Sequence, residues 1–134
     1  MVFRVIGLIV LGLVLSSCLD GGLAEPRREH SGVWLYEFEG SSFVEGATEA
    51  PARRPAYEDT DWLEWYDWGP AAALMDPNLS NVDCYTVQPF RVTFVGRRSR
   101  YPFGGVGHMS VWRSKVKVDR MISIERLGPS FCYE

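Results

Sequence analysis

Period-two alternation restricts this chain more than any other feature. Phe90, Val92 and Phe94 alternate with Arg91, Thr93 and Val95, and Trp34, Tyr36 and Phe38 alternate with Leu35, Glu37 and Glu39. Val116, Val118, Ile122 and Ile124 share one face, opposed by Lys117, Asp119, Ser123 and Glu125. Successive side chains of a strand point to opposite faces, so this pattern fits half-buried strands and does not fit a helix.

The alternation and its punctuation predict strands at Gly32–Glu39, from Phe43, at Tyr85–Arg97, at His108–Trp112 and from Val116 to Glu125. Asp59–Trp68 also reads as a strand, with Trp62, Glu64, Tyr66 and Trp68 on one face and Leu63, Trp65 and Asp67 on the other. The helical alternative for that stretch lacks a capping box. Gly69-Pro70 stops it, and Ala71–Met75 is long enough for one helical turn. Loops are predicted at Gly46–Ala56 and Arg98–Gly107, with a tight turn at Arg113-Ser114-Lys115. Arg120 interrupts an apolar face, which points to a bulge or an edge. Phe131-Cys132-Tyr133 is read as docking the C-terminus. Short strands, Gly/Pro turns and no long helix predict an all-β domain. It is a small five- to six-stranded antiparallel barrel, OB-like, or a sandwich.

The N-terminus has a different character. Met-Val-Phe-Arg precedes an apolar run from Val5 to Leu15, followed by Ser16-Ser17-Cys18. One charge, a short apolar core and small residues before a cut site form a secretory signal peptide. The run falls short of the roughly 20 residues that a membrane-spanning helix needs. Leu15-Ser16-Ser17-Cys18 resembles the lipobox of bacterial lipoproteins. That resemblance implies acylation of Cys18 as the new N-terminus and a periplasm-facing anchor in the cell envelope. Asp20 stands one place beyond the position that retains such proteins in the inner membrane, which points to the outer membrane. The resulting division is a signal peptide at 1–17, a lipidated flexible tether at 18–31 and a β domain at 32–134. Gly21-Gly22, Pro26 and the absence of a hydrophobic period support the tether, in which His30 falls.

With Cys18 lipidated, Cys84 and Cys132 are left as a pair. An oxidising periplasm lets them bridge; two separate buried thiols are the alternative. Charge is lopsided. Glu29–Asp83 holds twelve acids and two bases, and Cys84–Glu134 holds nine bases and three acids. Acidic strands lying beside basic strands would pair these charges across the sheet. A basic face open to anionic partners is the sharper reading.

Four features are candidates for chemistry. Arg97, Arg98 and Arg100 suit anion binding, because a guanidinium donates in pairs to phosphate or carboxylate; a solvated loop paired with the acidic half is the plainer account. Tyr101–His108 is glycine-rich but does not match the Walker spacing, and reads as a flexible hairpin loop. His108 would serve as a general base only with a carboxylate to orient it, Glu45 or Asp61 being the candidates. No nucleophile elbow or metal motif accompanies it, so neither a metal nor another cofactor is expected. Trp62, Trp65 and Trp68, with Tyr66, supply core bulk. They occupy both faces of a strand, which leaves at least one exposed to stack on a sugar ring or a partner.

These features predict a non-enzymatic envelope lipoprotein that meets the membrane through its anchor. It would bind an envelope protein, a glycan or an anionic lipid, and no nucleic acid. A small periplasmic hydrolase using His108 and an inhibitor or immunity-like module are the alternatives.

Overall fold

The structure, a computed structural model, describes residues 22–77 and 84–134. The expected signal peptide at 1–17 and Cys18 lie outside the described residues. The strands are β1 (Leu23–Ala24), β2 (Arg28–Glu37), β3 (Gly40–Glu45), β4 (Asp61–Glu64), β5 (Val87–Arg100) and β6 (Ser114–Arg126), with a one-turn helix α1 (Gly69–Ala72) between β4 and β5. Among the described residues no helix is long and apolar enough to cross a membrane.

Five strands close into a ring, in the order β5-β2-β3-β4-β6 and back to β5. This is a small OB-like all-β barrel, as the alternation predicts. β1 pairs with the end of β5 through Leu23 opposite Arg100, on the edge where β2 pairs lower down. Pro26 separates β1 from β2, because a residue without an N–H cannot continue a ladder. The expectation of a wholly antiparallel barrel is corrected at β4 and β6, which run parallel with Leu63 opposite Val116. A closed ring with an odd number of strands must contain a parallel pair. Local alternation carries no information about which pair that is.

β5 and β6 form the long hairpin that anchors the ring. Phe90, Val92 and Phe94 are fully buried, as their alternation requires. Thr93 pairs with Ser123 but Phe94 with Met121, and Val95 pairs with Arg120 but Gly96 with Val118. Ile122 and Asp119 are therefore extra residues, two bulges flanking Arg120 as the interrupted apolar face suggested. The bulges also correct the predicted face: Val116 and Val118 are buried, while Ile122 is 45% exposed. Gly96 fits beside the second slip because a Cβ there would lie 2.4 Å from the Lys117 carbonyl oxygen.

The core joins Trp34, Phe43, Leu63, Phe90, Val92, Phe94, Val116 and Val118, and α1 contributes the buried Ala71. A smaller cluster lies on the other side of β2, where Val33, Leu35 and Val87 are covered by Leu127, Phe131 and Tyr133. β2 is thus buried on both faces along part of its length. The C-terminal segment is held there by reciprocal Val87–Phe131 backbone bonds of 2.8 and 3.0 Å. Cys84 and Cys132 are disulfide-bonded, with Cα atoms 6.1 Å apart.

Several boundaries differ from expectation. The ordered domain begins before residue 32: β2 starts at Arg28, and His30 is 1% exposed and stacked 5.3 Å from Phe94. Polar Arg28, His30 and Ser31 concealed this strand, because their partners, Glu45 and Thr93, come from other strands. β4 ends at Glu64, well short of Trp68. β5 continues through Arg100, and β6 begins at Ser114. His108–Ser110 is a 3-10 turn and not a strand, with Met109 and Ser110 at φ 53° and 57°. The intervening loop folds back through a Val106–Trp112 bridge.

Candidate functional site

The predicted basic cluster is taken apart by the barrel. Arg98 points inward from β5. Its Nε donates to Asp61 Oδ1 at 3.0 Å and its Nη2 to Oδ2 at 2.7 Å. It also pairs with Glu45 and lies 3.8 Å from Glu25. Arg100 donates to Glu25 at 2.8 Å, and Arg97 projects from the opposite face. The three arginines therefore form no common anion site. Acids of the N-terminal half neutralise Arg98 across the sheet, as the plainer reading of the charge asymmetry held.

Glu45 is the hub of this network. Burial pushes its carboxyl up, but hydrogen bonds from Arg28, Arg98 and His30 outweigh that and hold it at about 2. Asp61 also accepts from Ser114 Oγ at 2.6 Å. Both carboxylates proposed to orient His108 are thus spent elsewhere. His108 instead faces Glu39, with Nε2 and Oε2 3.2 Å apart.

The aromatic residues come together. Trp62, Trp65 and Trp68 line one cleft of about 380 Å³ with Trp34, Tyr36 and Tyr66. Trp68 stacks on Tyr36 at 5.8 Å, Trp65 meets Trp34 edge-on at 5.9 Å, and Trp62 meets Trp112 edge-on at 4.8 Å. The floor is fixed by hydrogen bonds: Trp34 Nε1 donates to Ser41 Oγ, which donates to the Leu63 carbonyl. Glu37, Glu39 and Glu64 supply the cleft's charge.

A second cleft of about 500 Å³ shares Glu37, Glu39 and Gly40 with the first. It adds Phe38, Tyr57, Tyr85, His108, Met109, Val111 and Trp112. Phe38 and Tyr85 stack with ring planes 5° apart although each is 70% exposed. Their grouping was missed in the sequence because Phe38, Tyr85 and His108–Trp112 were read as parts of strands, whereas they lie in turns and loops beyond the strand ends. The one available signal was Phe38 placed against the Gly40 turn.

The glycine-rich loop contributes to this site by close packing. Gly107 has φ 74° and lies against two indoles; a Cβ there would be 2.5 Å from the Trp62 ring. Among the described residues the non-glycine positions at positive φ are Glu39, Met109 and Ser110. Glu39 and Met109 both line the second cleft. Strained backbone of this kind concentrates at functional sites.

No known family, curated protein or solved structure matches the chain.

Proposed function

We propose that the mature chain is a non-enzymatic binding module of the cell envelope, tethered by lipid at Cys18, whose ligand lies in the aromatic groove across the β2–β3 turn. One observation carries the location. Eleven large apolar side chains are exposed among the described residues, and seven of them (Phe38, Tyr57, Tyr66, Trp68, Tyr85, Met109 and Val111) line the two adjoining clefts. Contiguous exposed apolar surface rimmed by polar groups marks an interaction site. Tryptophan, tyrosine and methionine are the residues enriched at such sites. The ion pairs already made by Arg98 and Arg100 support the aromatic face over the basic strand in this reading.

Two measurements test this reading. Intact mass of membrane-extracted protein is expected to begin at Cys18 with added acyl chains; an unlipidated mass removes the envelope. A photoreactive phenylalanine analogue at Phe38 is expected to crosslink in intact cells, whereas the same analogue at Ile122 does not. Equal labelling at both positions, or none at Phe38, removes the groove.

A further inference from the structure

We infer that the occupant of the groove is an extended polypeptide segment that presents a lysine or arginine side chain to Glu39 between the aromatic walls. This rests on the groove being the binding site and names the chemistry it selects.

Charge is the first argument. The walls of the two clefts carry three carboxylates, Glu37, Glu39 and Glu64, and one guanidinium, Arg54. Arg54 donates to both oxygens of Glu37, and Lys115 Nζ lies 3.6 Å from Glu64. Glu39 is half exposed where the two clefts meet, and it faces an imidazole and not a fixed cation. An anionic ligand would be repelled there, and a neutral sugar could donate hydroxyl hydrogen bonds to the carboxylate but brings no opposite charge. A cation is attracted both by the carboxylate and by the electron-rich faces of Tyr66 and Trp68.

The protein already uses this mode of docking on itself. Arg54 reaches from the loop before β4, pairs with Glu37, and sits 5.0 Å from the centre of the Tyr133 ring. Lys115, 3.6 Å from Glu64, lies 6.0 Å from the centre of the Tyr101 ring. A guanidinium or ammonium held between a carboxylate and an aromatic face is therefore an arrangement this surface accommodates.

Backbone and length point to a peptide in particular. Glu39 occupies the left-handed region at φ 58°, where glycine or asparagine would be more relaxed. The strained turn sets a carboxylate between the clefts. The groove continues past Glu39 into the second cleft, which Phe38, Tyr85 and Trp112 line. A peptide supplies a side-chain cation and apolar neighbours along one line; a small amine supplies the first alone.

The test uses the full chain in detergent and three probes: the capped peptide Phe-Arg-Phe-Arg amide, the same peptide with citrulline in place of arginine, and the tetramer of N-acetylglucosamine. Citrulline keeps the shape of arginine and removes its charge. Binding is read by tryptophan fluorescence and by calorimetry. The arginine peptide is expected to bind about tenfold more tightly than the citrulline peptide, in a salt-sensitive manner. Glu39→Gln should abolish that preference, and Glu125→Gln should leave it intact. Equal binding of the two peptides, or a preference that survives Glu39→Gln, overturns the cation assignment and leaves the groove standing. Tighter binding of the sugar tetramer, lost in Trp68→Ala, replaces the peptide with a glycan. If no probe perturbs the tryptophans, the cation assignment and the groove fall together.

Discussion

Arg98 and Asp61 are joined by two near-parallel hydrogen bonds of 3.0 and 2.7 Å inside the barrel wall, with Arg98 only 7% exposed. A bidentate pair of this kind is the strongest geometry available to two opposite charges. Removing one partner leaves the other buried and uncompensated. Arg98→Ala is expected to destabilise the fold by about 3–5 kcal/mol. Arg97→Ala, on the outer face of the same strand, should stay within about 0.5 kcal/mol. Urea midpoints of the two variants check this, and equal midpoints would return Arg98 to the surface.

Glu45 makes the fold acid-sensitive. Its carboxyl titrates at about 2 in the folded chain against an ordinary 4.5. A lowered folded value contributes stability that is present above pH 4.5 and lost as pH falls from there through 2. Melting temperatures measured between pH 6 and pH 2 should therefore drop across that window. Glu45→Gln should melt lower at pH 6 and show a shallower drop. A variant whose acid profile superimposes on that of the parent would exclude Glu45 as the source.

If Glu39 receives the cation proposed above, it places stability and binding in opposition. Glycine removes the steric cost of the left-handed backbone, so Glu39→Gly is expected to gain about 1 kcal/mol. It should at the same time lose the preference for the arginine peptide. A variant that is less stable than the parent would mean the turn is held by the Glu39–His108 contact and not strained by its backbone.

The disulfide closes a loop spanning a sequence separation of 48. A cross-link of that span contributes about 4 kcal/mol in the chain-entropy account. Replacing both Cys84 and Cys132 by serine should lower the urea midpoint accordingly. Amide exchange at Val87 and Phe131 should accelerate most, because their reciprocal backbone bonds hold the C-terminal segment. Uniform acceleration across the barrel would instead point to a global effect.

Much of the architecture was written in short-range pattern. Phe90, Val92 and Phe94 announced an inward face, Arg120 announced the bulged stretch of β6, and the cysteine count anticipated the Cys84–Cys132 bond. Each of these signals is confined to a few neighbouring residues or to a simple inventory, and alternation at period two is a direct consequence of strand geometry. The same logic failed at His30 and at His108–Trp112. Polar residues at the start of β2 are satisfied only by strands distant in sequence, and apolar residues after Gly107 are turned by left-handed backbone.

What the sequence by itself determined was the all-β character and the inward face of β5, and it left the two distal cysteines as candidates for a bridge. Only the tertiary structure decided that β4 runs parallel to β6, that Arg98 is neutralised by Asp61 and Glu45, and that the cleft of Trp62, Trp65 and Trp68 adjoins that of Phe38 and Tyr85. The physical reason is closure. A strand's periodicity follows from its own backbone, but its neighbours, the charges it meets and the surfaces it leaves open depend on contacts formed when a ring of strands far apart in sequence closes on itself.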